Sequence, residues 1–163
     1  MKKRLIKMAL SLLMMVCVSA CSGNVETVDE NHDSSAIISG SEDIGETTMI
    51  MKIGDTKVNV DWEDNQAVAA LRDMASEGDV TIQMSMYGGF EQVGSLGQNL
   101  PRDDKQTTTT SGDVVLYSGN QMVVFYGSNS WSYTKLGHIS DKNAEDITDL
   151  LSNGDVTITI SIE

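Results

Sequence analysis

The stretch GDVVLYSGNQMVVFYGSNSWSYTKLGHI, residues 112–139, decides the fold. Val114 to Tyr117 and Gln121 to Tyr126 are rich in β-branched and aromatic residues and flank Ser118-Gly119-Asn120, the composition of a hairpin turn. Trp131 to Leu136 predicts a further strand. None of these runs carries the 3.6-residue spacing of an amphipathic helix, so the segment reads as antiparallel sheet.

The same period continues outward in both directions. Toward the C-terminus, Asp141 or Asn143 caps a short helix with Ile147, Leu150 and Leu151 on its inner face. Val156, Ile158, Ile160 and Ile162 then alternate as a closing strand. Toward the N-terminus, Pro101 and the run Thr107 to Thr110 read as loop, preceded by a half-buried strand with Val80, Ile82, Met84 and Met86 in alternation, ending at Tyr87-Gly88-Gly89-Phe90. Asp64-Asn65 caps a helix over Gln66 to Glu77, with Val68, Leu71, Met74 and Ala75 on one face and Gly78 as its stop. Thr47 to Ile53 and Lys57 to Trp62, joined through Gly54-Asp55-Thr56, predict a first hairpin.

The two helix-turn-strand units echo each other. Leu71, Met74, Ala75, Ser76, Gly78, Asp79, Val80, Thr81 and Ile82 return as Ile147, Leu150, Leu151, Ser152, Gly154, Asp155, Val156, Thr157 and Ile158. Two such units in a mostly antiparallel chain imply a closed β-sheet with a helix over each open end, because closure removes exposed strand edges and the helices cover apolar mouths. Residues 47–163 suit one domain, and a domain of this size buries about two-thirds of its unfolded surface without covalent staples.

Residues 1–20 read as a lipoprotein signal peptide. Lys2, Lys3, Arg4 and Lys7 form a basic start, Met8 to Ala20 form an apolar run too short for a membrane span, and Val18-Ser19-Ala20-Cys21 is a lipobox. Cys21 is the expected lipidation site, with the two or more acyl chains that stable anchoring needs. Cys17 leaves with the signal, so the mature chain forms no internal disulfide and has no catalytic thiol. Residues 21–46 then form a disordered acidic tether, with seven acids, no Lys or Arg and no aromatic residue after Cys21, and an r.m.s. span of roughly 25–30 Å. His32 lies within it and is not read as a ligand. The expected location is the extracytoplasmic face of the cell membrane or outer membrane.

With four of the 11 basic residues removed and all 24 acidic residues kept, the mature chain carries a formal −17. That argues against nucleic acid as a partner and against electrostatic adhesion to anionic lipid, so the lipid anchor alone holds the membrane. No metal and no cofactor is expected: Asp61-Glu63-Asp64 and Asp103-Asp104 lack a Gly-bearing calcium loop, and no phosphate-binding glycine loop is present. His138, the one histidine in residues 47–163, has no Gly-X-Ser-X-Gly elbow beside it and reads as a partly solvated strand-end residue.

Residues 112–139, with YGGFEQVGSLGQNLP at 87–101, resemble the small bacterial cyclophilin-like domains. The similarity lies in Gly-Asp-Val, an aromatic-ended strand, Gly-Asn, a strand closing in Phe-Tyr-Gly and a Leu-Gly-X-Ile step. It implies a mainly β fold, a closed antiparallel barrel of about eight strands with two short capping helices, and these domains are frequently lipoproteins. True cyclophilins isomerise X-Pro bonds in a groove where an arginine hydrogen-bonds the prolyl region and apolar and aromatic residues hold the ring. Between Arg72 and Arg102 there is no Lys, Arg or His, and no residue matches that arginine. No catalytic residue is therefore assigned.

All eight aromatic residues fall between Trp62 and Tyr133. Phe125 and Trp62 read as core, whereas Tyr87, Phe90, Tyr126, Trp131 and Tyr133 stand near turns or on the alternate phase and form a candidate ligand groove. Glu91 and Gln92 are its candidate polar groups, and Gly88-Gly89 permits close approach of a backbone or ligand. The leading expectation is a membrane-anchored binding module for an extracytoplasmic peptide or small molecule. Two alternatives are a degenerate prolyl isomerase using a neutral donor such as Gln92, and a passive partner of another envelope protein.

Overall fold

A computed structural model describes residues 48–163. The signal segment, Cys21 and the tether to residue 46 lie outside the described residues. The elements run β1 (Met49–Ile53), β2 (Thr56–Val58), β3 (Val60–Trp62), α1 (Gln66–Glu77), β4 (Val80–Tyr87), β5 (Glu91–Ser95), β6 (Lys105–Thr108), β7 (Asp113–Tyr117), β8 (Gln121–Phe125), β9 (Ser130–Ile139), α2 (Ala144–Leu151) and β10 (Val156–Ile162).

The sheet is a nearly closed antiparallel barrel of nine strands in the order β2-β1-β10-β4-β5-β8-β7-β9-β3, with β6 lying off this path against β9. Its two edge strands, β2 and β3, are consecutive in sequence and separated by Asn59 alone, so the chain itself bridges the gap. Asn59 donates its backbone N–H to Asp141 and accepts from the Ser140 N–H, both pinning the crossing point. Taking β2 and β3 as one bent strand recovers the expected eight. The bend corrects the first hairpin, which pairs only from Met51↔Val58 to Ile53↔Thr56; beyond Asn59 the strand leaves β1 and pairs β9 through Val60↔Ile139 and Trp62↔Gly137.

The helices form as their caps dictate. Asn65 accepts from the Val68 N–H at the start of α1, and Asn143 with Asp146 makes a reciprocal capping box on α2. Ala67, Val68, Leu71 and Ala75 of α1 and Ile147 and Leu151 of α2 are buried in the barrel core, while Met74 and Leu150 are half-buried beside it. The sequence echo has a structural counterpart: β4 pairs β10 with Ile82 opposite its own equivalent, Ile158, flanked by Val80↔Ile160 and Met84↔Val156. The two units therefore meet about a local twofold, and because the strands run antiparallel, each helix covers the opposite end of the wall.

Two strands escape the sequence reading. β5, Glu-Gln-Val-Gly-Ser, pairs both β4 and β8, and β6 holds Lys105 to Thr108 against Tyr133 to Ser130. Gly94 of β5 sits where a Cβ would lie 2.5 Å from Met84 Sδ and 2.7 Å from the Gln83 carbonyl, so the close packing of the wall there has room only for glycine. In β9 the pairing with β7 shifts between Gly137 and Lys135, leaving Leu136 as the extra residue of a bulge. Leu136 and Ile139, three apart, thereby both enter the core, and Tyr133 and Trp131 are turned to the outside.

Candidate functional site

Alternation along β5, β7, β8 and β9 sends one set of side chains into the barrel and the other onto its outer face. Inside stand Met84, Val114, Leu116, Met122, Val124 and Leu136 among the aliphatic core. Outside, Val115, Val123, Phe125 and Tyr133 form a second, smaller cluster, with Phe90 and Val93 packed against it. This outer cluster is the floor of a cleft of about 350 Å³, lined by Tyr87, Glu91, Val93, Tyr117, Gln121, Val123, Asn129, Trp131 and Tyr133.

The aromatic rings run in a chain from beneath the floor to the rim. Phe90 stacks on Phe125 with centroids 6.4 Å apart; Phe125 meets Tyr133 edge-on at 5.8 Å, and Tyr133 meets Tyr117 edge-on at 6.1 Å. Tyr133 is buried and its hydroxyl accepts from Asn129 Nδ2 at 3.0 Å. Asn129 is itself fixed by Thr109, a fully buried residue that bonds the Asn129 backbone through both its own N–H and its hydroxyl. At the rim, Tyr87 is 66% exposed and Trp131 57% exposed.

Glu91 is the polar feature of the cleft. Only 6% exposed, it leaves its Oε2 buried without a hydrogen-bond partner. Burial drives its pKa up from 4.5 to about 7, and its charge in turn helps burial raise the Tyr133 hydroxyl. No Lys, Arg or His lines the cleft.

The expected groove residues thus divide. Tyr87, Glu91, Trp131 and Tyr133 come together around the cleft. Phe90 lies under it as a packing residue; Gly88, at φ +62°, folds the β4–β5 turn back so tightly that a Cβ would lie 2.4 Å from the Phe90 ring. The close approach allowed by that glycine is therefore used by the chain's own ring. Gln92, fully buried, points the other way: its Nε2 donates to the Leu151 and Gly154 carbonyls at 2.6 and 2.7 Å, closing the C-terminal end of α2. Tyr126 packs against the barrel core with its hydroxyl buried and unpartnered. Neither lines the cleft, since strand alternation separates Gln92 from Glu91 and Tyr126 from Phe125.

Tyr117, Val93, Gln121, Val123 and Asn129 escaped the sequence reading. Hairpin register would have found several of them, because Tyr117↔Gln121 and Val115↔Val123 share the face of Phe125. His138 is half-exposed one residue from the end of β9, its Nδ1 2.9 Å from Asp113 Oδ1. Among the described residues no cluster of His, Cys, Asp and Glu is arranged to hold a metal ion, and no helix is long and apolar enough to cross a membrane.

Comparison with curated proteins and with solved structures returns no match. Residues 51–161 match the sequence profile of the Cyclophilin-like family. That span runs from β1 to β10, takes in both helices and every strand of the barrel, and covers more than half of the chain. The sequence profile and the helix-capped barrel agree, and the chain belongs to the cyclophilin-like family.

Proposed function

We propose that this protein is a lipid-anchored, extracytoplasmic cyclophilin-like module that binds a peptide or small molecule in the outer-face cleft, without efficient catalysis. The observation that carries the binding role is Glu91, a buried carboxyl with an unpartnered oxygen on the floor of an aromatic-walled cleft. A structural carboxylate in the interior would be paired, because an unsatisfied buried charge costs several kcal/mol. A ligand that supplies the missing partner removes that cost on binding. The large exposed rings of Tyr87 and Trp131 add apolar contact area at the mouth.

The degenerate-isomerase reading has less behind it. Gln92, its neutral donor, spends its amide hydrogens on α2 and faces away from the cleft. Anchoring through Cys21 rests on the lipobox.

Both parts are testable on the full chain. In detergent micelles, proline-containing peptides and a broad fragment library are expected to shift the NMR signals of Tyr87, Trp131 and Tyr133; a library that moves none of them sinks the binding role. Cys21→Ala is expected to move the protein from the membrane fraction to the soluble fraction, and unchanged membrane retention would refute the anchor.

A further inference from the structure

We propose that the cleft recognises an organic ammonium group, with Glu91 as its counter-ion and Tyr87, Tyr117, Trp131 and Tyr133 as its walls. This rests on the binding role argued above and specifies what is bound.

Three observations converge on a cation. First, the only charged side chain lining the cleft is a carboxylate, and its unpartnered oxygen is nine-tenths or more withdrawn from solvent. A neutral donor can satisfy that oxygen but leaves its charge uncompensated, and an anion is repelled, whereas an ammonium group supplies both a donor and the opposite charge in a site where water screens it weakly. Second, the walls are aromatic: ring faces carry negative quadrupole density and attract cations, an alkylated ammonium above all. Third, among the described residues no Lys, Arg or His lines the cleft beside the carboxylate. Arg102, whose charge reaches Tyr117, is paired with Asp104 through both Nε and a guanidinium terminus.

The site also has the right field and size. A formal charge of −13 for the whole chain draws cations toward the surface, and a cleft of about 350 Å³ accommodates a small head group. The titratable groups facing Glu91 from the neighbouring strands are Tyr87 of β4, Tyr117 of β7 and Tyr133 of β9, with neutral Gln121 and Asn129 beside them. Glu91 is the one carboxyl among the residues lining the cleft. Its elevated pKa makes recognition pH-dependent: affinity is greatest where the carboxyl is ionised, above about 7, and weakens as pH falls and the carboxyl protonates.

The test uses the full chain in detergent micelles and three probes: choline, its uncharged isostere 3,3-dimethyl-1-butanol, and Nα-acetyl-lysine methylamide for an ammonium presented on a peptide. Choline or the lysine derivative is expected to shift the Trp131 indole signal and to bind at least tenfold more tightly than the uncharged alcohol. Which of the two binds better separates a free amine from a peptide source. Glu91→Gln is expected to weaken cation binding at least tenfold and leave the alcohol unchanged, with its melting temperature showing that it still folds. If the alcohol binds as well as choline, or Glu91→Gln leaves cation affinity intact, the ammonium assignment is overturned while the cleft remains a ligand site. If none of the probes, and no member of the fragment library, shifts Trp131, both fall together.

Discussion

Glu91 and Gln92 are neighbours in the chain, equally polar and almost equally buried, yet they do opposite things. Gln92 turns into the barrel and gives its amide hydrogens to two carbonyls at the end of α2. Glu91 turns outward to the cleft and finds no partner for one of its oxygens. Each leaves one buried oxygen without a partner, Oε1 of Gln92 and Oε2 of Glu91; what separates them is that the Gln92 amide is spent on the fold, whereas Glu91 borders an open cleft that a ligand can enter. The faces they belong to differ in the same sense. The inner core is almost wholly aliphatic and methionine with no charged member, while the outer cluster is aromatic and open on one side.

The contrast can be broken at four places. The largest effect is expected at Phe125, fully buried at the centre of the outer cluster. Phe125→Ala should cost about 3–5 kcal/mol in a denaturant titration and, by undercutting Phe90 and Tyr133, abolish cleft binding as well. A loss under 1 kcal/mol would mean that the outer cluster is a surface feature and no second core.

Glu91→Gln should act in the opposite direction and only at higher pH. Its folded pKa of about 7 lies above the unfolded 4.5, so the stabilisation it contributes is complete below about 4.5 and is lost as pH rises through about 7. The variant, free of that loss, should exceed the parent by up to about 3 kcal/mol at pH 8 and by little at pH 4. Equal stabilities at pH 8 would show that the carboxylate is solvated after all.

Gln92→Ala should destabilise by about 2 kcal/mol, the cost of leaving one buried and one partly buried carbonyl without a donor. Ligand shifts at Trp131 should survive it; their disappearance would tie the two faces together and blunt the contrast. Trp131→Ala, at an exposed rim position, should change stability by less than about 0.5 kcal/mol while weakening ligand binding severalfold. An unaltered affinity would remove the rim from the site.

Much of the barrel is written in local pattern. Both helices with their asparagine caps and the alternating strands β4 and β10 carry the hydrophobic period of their own element, and the β7–β8 hairpin shows in two short β-branched runs about a glycine turn. β5 does not. Its inward residues are Gln92 and Gly94, one bonding a helix end and the other vacating space for Met84, so the apolar signature of a buried strand is missing. β6 has no core-facing apolar residue and is held by pairing with β9. The site was half-legible for a related reason. Tyr87 and Glu91 face each other across the β4–β5 turn, and their proximity follows from sequence neighbourhood. Trp131 and Tyr133 were legible as groove residues from their place near turns or on the alternate phase, but nothing local announces the bulge at Leu136 that turns them outward while Ile139 enters the core. Counting alternation back from Ile139 would have put both rings inside.

The seam between β1 and β10 has a topological consequence. Thr48 and Glu163 exchange backbone hydrogen bonds in both directions, at 2.9 and 3.0 Å, and Met49 sits opposite Ile162. Domain entry and exit are therefore side by side, on the arc of wall away from the β5-β8-β7-β9 cleft. A few residues of linker could splice residue 163 to residue 48 and turn the wall into a continuous loop of backbone, to be reopened at an exposed turn such as Gly97 with every strand pair retained.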